Sequence, residues 1–299
     1  MTLERGDLFE TCCGAGGMAE GFSPFFNIVH AIDIKECAVR TYKANHNETK
    51  VRRSDIRNIT GCRGDYEGMM GIIGGPPCQG SSFMNPHRCQ DDPRNGLLME
   101  FMRIVSEVLP DFFVLENVLS VSKKRKLEVI DCARSHDYFV TSLFLNAADY
   151  GASQIRKRWI VVGMKEKKWS PPEKTGSGTV RKAFAQLKQN WGIMKSSDKT
   201  LKILERASPE WSPMTGSFDN MIRLSWDIPS PTIVNLKKIY MVHPSEVRNI
   251  SLAEAAALQG FPPGFKWEGT QSEIAQMIAN AMPSQFAYSI AQSIREGVS

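Results

Sequence analysis

Short apolar runs alternate with amphipathic stretches through the first half of the chain, a pattern that predicts strands connected by helices. GDLFETCC at 6–13 reads as a strand, followed by the turn GAGG at 14–17 and a short helix start from Met18 to Phe22. NIVHAID reads as a second strand ending in Asp33, the helix Glu36 to Asn45 follows, and VRRSDIRNI suggests a third short strand with Asp55 and Ile56 at its exit. Ile72 and Ile73 end a buried strand, and the glycines and prolines of GGPPCQ then force a rigid turn with Cys78 at its tip beside Gln79. From Arg94 to Leu109, apolar residues recur at Leu97, Leu98, Phe101, Met102, Val105 and Val108, a helical spacing. DFFVLENV predicts a strand ending in Glu116 and Asn117, and YFVTSLFLN and RWIVVGM predict two more. Between these last two, Gln154, Arg156 and Arg158 alternate, so an extended segment places them on one face.

The pattern changes at Trp169. WSPPEKTGSGT reads as a linker, and 170–225 has poor periodicity, as a small irregular domain would. Strand character returns at 229–242. RNISLAEAAALQGFPP predicts a helix whose start carries the capping box Ser251 and Glu254. Glu273 to Arg295 predicts a helix broken at Pro283. The fold class expected is α/β, a doubly wound, mostly parallel sheet with a smaller irregular domain.

Composition adds limits. The 299 residues, 42% hydrophobic and 23% charged, suit a soluble globular protein with a core that needs no staple. Seven cysteines without a CxxC pair argue against a disulfide framework and against a zinc site, so no metal is expected. Free thiols suit a reducing cytoplasm. No apolar run approaches a membrane span, and MTLERGDLFE lacks the apolar region of a secretion signal. A formal charge of +5 permits an anionic partner, and KKRK at 123–126 reads as a solvated face.

Three successive strand ends carrying GAGG, Asp33 and Asp55 favour a nucleoside cofactor, with Asp33 placed for ribose hydroxyls. The pyrophosphate fingerprint GxGxxG is absent, which favours S-adenosylmethionine over a dinucleotide. A cysteine on a loop at the carboxyl end of a parallel strand is placed as a nucleophile, and Glu116 ends a strand facing the same crevice. Paired arginines on one strand face suit phosphate or base recognition.

Taken together and in order, PPCQ at 76–79, DDPRNGLL at 91–98, ENV at 116–118, QIRKR at 154–158, RNISLAEAAALQGFP and IANAMP at 278–283 resemble the motifs of the DNA (cytosine-5)-methyltransferases, over nearly the whole length. The resemblance implies a Rossmann-like methyltransferase of bacterial or phage type, acting in the cytoplasm on the nucleoid. A restriction–modification system, a phage or a solitary regulator could each carry it. It implies a catalytic domain at 1–168, a target-recognition domain at 169–268 and a C-terminal helix at 269–299 returning to the first. It implies methyl transfer from S-adenosylmethionine to carbon 5 of a flipped-out cytosine in duplex DNA, by a monomer, leaving S-adenosylhomocysteine.

The catalytic residues it implies are Cys78, Gln79, Glu116, Asn117, Arg156 and Arg158, with Cys78 adding to carbon 6 and Glu116 at N3 and the exocyclic amine. Cys12, Ala15, Gly17, Asp33, Ile34, Asp55, Ile56, Pro77, Leu97 and Asn280 are the implied cofactor contacts. Ser82, Arg94, Gln154 and Arg156 are the implied DNA contacts. The chain departs from the family at Cys12 and Ser81, where phenylalanine is usual, and at Ala279, where glycine is. The tRNA-modifying relatives of this family are expected to carry a CFT tripeptide after ENV; the region here reads VLSVSKKRK, which favours DNA. An inactive homologue is expected to lose PC or ENV, and both are present.

Overall fold

The structure, a computed structural model, describes residues 5–77, 96–193, 201–202, 204–205, 221–234, 236 and 240–298. Seven strands form one sheet: β1 (Asp7–Thr11), β2 (Asn27–Asp33), β3 (Lys50–Arg53), β4 (Gly71–Gly74), β5 (Phe112–Asn117), β6 (Phe139–Asn146) and β7 (Lys157–Met164), in the order β3-β2-β1-β4-β5-β7-β6. All neighbouring pairs from β3 to β5 are parallel, and β7 runs antiparallel between β5 and β6. The expected doubly wound, mostly parallel architecture is therefore observed.

The central strands are apolar at consecutive positions because both faces of the sheet are covered. In β5, Phe112 and Val114 enter one core with Leu8, Ile73, Ile160 and Val162. Phe113 and Leu115 enter the opposite core with Phe9, Ile72, Trp159 and Val161. The first core is closed by the helices α1 (Gly17–Phe22) and, from the far end of the chain, α9 (Ser284–Gly297), through Phe22, Phe286, Ala287, Ile290 and Ile294. The second is closed by α4 (Leu97–Val108) and α5 (Lys123–Arg134), and α4 buries Leu98, Phe101, Met102, Ile104 and Val105 at helical spacing. The connections from β2 and β3 add α2 (Glu36–Asn45) and α3 (Cys62–Asp65).

A third core lies beyond the sheet. It joins Ala15, Cys37 and Ala38 to α6 (Val180–Phe184), α7 (Leu252–Leu258) and α8 (Gln271–Asn280), with Leu224, Ile233 and Leu236. The capping box of Ser251 and Glu254 forms as expected, and Thr270 and Glu273 form a second at the start of α8. The short strands β8 (Met221–Arg223) and β9 (Tyr240–Val242) pair in parallel. Trp169, where the composition changes, is buried on the sheet. Its indole Nε1 donates to Ser293 Oγ at 3.0 Å, and its carbonyl accepts from Thr141 Oγ1 at 2.8 Å.

Candidate active site

Crevices in open α/β sheets form outside the carboxyl ends of the strands, where the strand order reverses. Here that point lies between β1 and β4. On the β1–β2 side the chain turns back through Cys12 (φ 51°), Gly14 (φ 54°) and Gly16 (φ 92°), all left-handed. The turn is tied down by Asp33: the Gly14 amide donates to Oδ2 at 2.9 Å and the Lys35 amide to Oδ1 at 2.8 Å. Asp33 was expected to face ribose hydroxyls; both its oxygens already hold backbone amides, leaving other lone pairs for a ligand. Burial raises its pKa and those two amides oppose the rise.

A Cβ on Gly14 would meet nothing within 4 Å, so the turn faces open space. Gly17 is the reverse case. A Cβ there would lie 2.6 Å from the Met282 carbonyl oxygen and 3.1 Å from the Ala281 Cβ, so only glycine admits the C-terminal segment against the turn. Nearby, a cavity of about 610 Å³ is lined by Ile34, Lys35, Arg53, Leu236 and Gln276 among others, and Ile34 is 55% exposed. Cys12 is half-buried, and desolvation together with Asp33, Asp55 and Glu10 pushes its thiol pKa up. Asp55 caps a short 3-10 turn by accepting from the Arg57 amide and pairs with the Arg57 guanidinium at 2.6 Å, which holds its carboxyl below the usual range. Ala15, Gly17 and Ile56 are buried, Leu97 is half-buried, and Pro77 and Asn280 are exposed.

On the β4–β5 side, Glu116 Oε1 pairs with Arg158 Nε at 2.7 Å, both side chains being about nine-tenths buried at 12% and 11% exposure. The antiparallel register sets this up: Glu116 lies opposite Ile160 and Asn117 opposite Trp159, so Arg158 lies just past the strand end. A Cβ on Gly75 would sit 3.0 Å from Glu116 Oε2, so the glycine of the turn leaves room for the carboxylate. Asn117 joins the two strand ends: its Nδ2 donates to the Pro76 carbonyl at 2.7 Å, and its Oδ1 accepts from the Val118 amide at 2.8 Å.

Gln154 and Arg156 do not share an exposed face with Arg158. The regular strand β7 begins only at Lys157. Gln154 is fully buried in an isolated bridge with Ser230, and its Oε1 accepts from the Ile233 amide at 3.3 Å. Arg156, 2% exposed, donates to the carbonyls of Ile233, Ala279 and Asn280. A direct DNA contact, expected for both residues, is not what this placement offers: each is turned into the protein by partners far away in sequence. Cys78, Gln79, Ser82 and Arg94 lie outside the described residues, as does Ser81.

Two buried polar residues near the crevice escaped the sequence reading. Gln259 is fully buried and donates to carbonyls at the end of α8; its only signal was the LQGFP motif around it. Glu10, 2% exposed on β1, accepts from the Tyr42 hydroxyl at 2.8 Å, and burial raises its pKa to about 8. An acid inside an apolar strand gave no pattern that distinguishes it from a surface residue. Among the described residues no His, Cys, Asp and Glu cluster could hold a metal, and no helix is long and apolar enough to cross a membrane.

This sheet order, with a glycine turn fixed by the acid ending the second strand, is that of a Rossmann-like S-adenosylmethionine-dependent methyltransferase. The solved structure of a methyltransferase encoded within an E. coli prophage superposes with a TM-score of 0.78 and 25% identity, over 97% of this chain and 98% of that one. The profile of the C-5 cytosine-specific DNA methylases matches residues 6–202 and 170–296. Type II methyltransferase M1.HphI of Haemophilus parahaemolyticus is 32% identical over 98% of this chain and 87% of its own length. Type II methyltransferase M.FnuDI of Fusobacterium nucleatum is 31% identical over 95% and 92%. The chain belongs to the C-5 cytosine-specific DNA methylase family and is a DNA (cytosine-5)-methyltransferase.

Proposed function

We propose that this enzyme methylates a cytosine flipped out of duplex DNA through a covalent bond between Cys78 and carbon 6 of the base. Carbon 5 of cytosine is a weak nucleophile. Addition of the Cys78 thiolate at carbon 6 turns carbon 5 into an enamine carbon able to take a methyl group. Loss of the carbon 5 proton to a base then expels the thiolate and restores the aromatic ring. Glu116 offsets charge at N3 and accepts from the exocyclic amine, Arg158 holds Glu116 and reaches the base O2, and Gln79 lies beside the nucleophile. Asn117 fixes the root of the Cys78 loop to the Glu116 strand. Arg94 and Ser82 are assigned to DNA, whereas Arg156 and Gln154 are reassigned from DNA contacts to holding the segments around the site. One observation carries this reading: Asn117 binds the carbonyl of Pro76, two residues before Cys78, while its neighbour Glu116 meets Arg158.

The cofactor is assigned to the crevice of Cys12, Ala15, Gly17, Asp33, Ile34, Asp55, Ile56, Pro77, Leu97 and Asn280. The fit rests on the open space over Gly14 and on the nearby cavity at Ile34. When bound there, S-adenosylmethionine supplies the electrophilic methyl group and leaves as S-adenosylhomocysteine. Ile34 supplies the apolar surface that a phenylalanine at position 12 gives in relatives. The span 169–268 reads the target sequence, with 1–168 and 269–299 forming the catalytic unit. The naming of the relatives supports a Type II modification role; action in the cytoplasm, as a monomer, is part of the same proposal.

The test is tritiated methyl transfer to duplex DNA with tRNA as the control, followed by trapping on an oligonucleotide containing 5-fluorocytosine. Cys78→Ser is expected to abolish transfer and the denaturation-resistant adduct while still binding DNA. Substantial methylation by that variant would refute the nucleophile assignment.

A further inference from the structure

The last carbonyls of a helix have no partner within it and need donors from elsewhere. At the end of α8, Gln259 Nε2 donates to the carbonyls of Ile278 (2.6 Å) and Ala281 (3.3 Å). Arg156 Nη2 donates to those of Ala279 (3.0 Å) and Asn280 (3.2 Å). Four consecutive carbonyls are thus held by two buried side chains from two other segments. A cation at a helix carboxyl end also opposes the negative end of the helix dipole.

What the two side chains hold is the cofactor wall. Asn280 belongs to it, and the next residues, Ala281 and Met282, press on Gly17 of the glycine turn. Arg156 also reaches outward, with Nη1 donating to the Ile233 carbonyl at 3.2 Å, in the span assigned to target recognition. It stands two residues before Arg158, the partner of Glu116. One guanidinium therefore touches the cofactor wall and the recognition span, and the strand that begins at the next residue carries Arg158, the partner of Glu116. Neither side chain faces solvent, so neither is placed to touch DNA or cofactor itself.

We infer that Arg156 and Gln259 are positioning residues that fix the cofactor wall against the recognition span, so that cofactor occupancy and DNA binding strengthen each other. By linkage, whatever factor the cofactor adds to DNA affinity, DNA adds to cofactor affinity. The inference rests on the cofactor site proposed above.

Arg156→Lys keeps the charge but not the planar fork that serves three carbonyls at once. Gln259→Met keeps the shape and removes the donor. The full-length protein and both variants are titrated with S-adenosylhomocysteine by calorimetry, and with duplex DNA by fluorescence anisotropy with and without it. Thermal melting checks that each variant is folded. The wild type is expected to bind DNA at least fivefold more tightly with S-adenosylhomocysteine present. Each folded variant is expected to bind S-adenosylhomocysteine at least tenfold more weakly and to lose most of that enhancement. In turnover, KM for S-adenosylmethionine should rise by more than kcat falls, a split that a general loss of packing would not give.

Cofactor affinity within twofold of wild type in a folded variant overturns the inference, as does a wild type whose DNA affinity ignores S-adenosylhomocysteine. If Arg156→Lys does not fold, Gln259→Met decides. A wild type that binds no S-adenosylhomocysteine removes the cofactor site itself and the inference with it. That failure needs no variant, so it is distinguishable from failure of the clamp alone.

Discussion

The two sides of the crevice are built from different materials. The glycine turn is held by main-chain atoms: amides of Gly14 and Lys35 on one carboxylate, and a backbone carbonyl pressed on Gly17. The β4–β5 side is held by side chains: the Glu116–Arg158 pair and the two-way hydrogen bonding of Asn117. Apart from the Asp33 carboxylate, the contacts of the glycine turn do not depend on the side chains at 12 and 279, where the chain differs from the family pattern. Charge and amide pairs do depend on their side chains, and the residues of the second side match the family motifs.

Four changes press on that contrast, from the strongest effect to the weakest. Glu116→Gln removes the group proposed to share a proton with the base, and should lower kcat by about 10²–10⁴-fold with DNA affinity nearly unchanged, as single-turnover and binding assays would show. A near-normal rate would leave the β4–β5 side without its chemistry. Gly17→Ala forces a methyl group into the Met282 carbonyl. It should weaken S-adenosylhomocysteine binding at least tenfold and lower the melting temperature; calorimetry showing full affinity would break the main-chain account of the glycine turn.

Asn117→Ala strands the Pro76 carbonyl and the Val118 amide, a penalty of about 1–3 kcal/mol for each group that stays buried and unpaired. Melting should fall by several degrees and kcat should drop, while cofactor affinity should hold. Loss of cofactor affinity in that variant would show that the two sides are not separable.

The smallest effect concerns pH. Burial raises Glu10 from 4.5 to about 8, so the folded state keeps a proton the unfolded chain has released, and this group makes stability fall as pH rises through that window. His46 works oppositely: burial lowers it from 6.5 to about 4, so its contribution makes stability rise with pH between those values. The two oppose each other up to pH 6.5. Above it the Glu10 slope stands alone, approaching about 1.4 kcal/mol per pH unit at most. Denaturation curves between pH 6.5 and 8 should show the decline in the wild type and a flatter profile in Glu10→Gln, which can still accept from Tyr42.

The sheet was largely legible from the chain. NIVHAID and the helix 36–45 occupy the expected residues, and Glu116 and Asn117 end their strand as its apolar run implied. Local patterning sufficed there because each element buries its own apolar face. The QIRKR segment misled because alternation reports a face only where the backbone is regular. Regularity starts at Lys157, and the partners of Gln154 and Arg156 lie in segments that no local period reveals. Glu10 escaped for a related reason: its partner Tyr42 sits on α2, beyond the neighbouring strand β2.

Helix α9 closes the core over α1 although some 260 residues of sequence lie between them, a separation that makes their meeting a late event in folding. Synthesis therefore makes the glycine loop well before the helix that covers the core beneath it. A polypeptide lacking Ser284 onward has Phe22 and Phe26 without their cover beneath the glycine loop. The far-downstream helix Ser284–Gly297 is thus part of the same packed core as the glycine loop, so changes to its apolar face should be felt at the start of the chain.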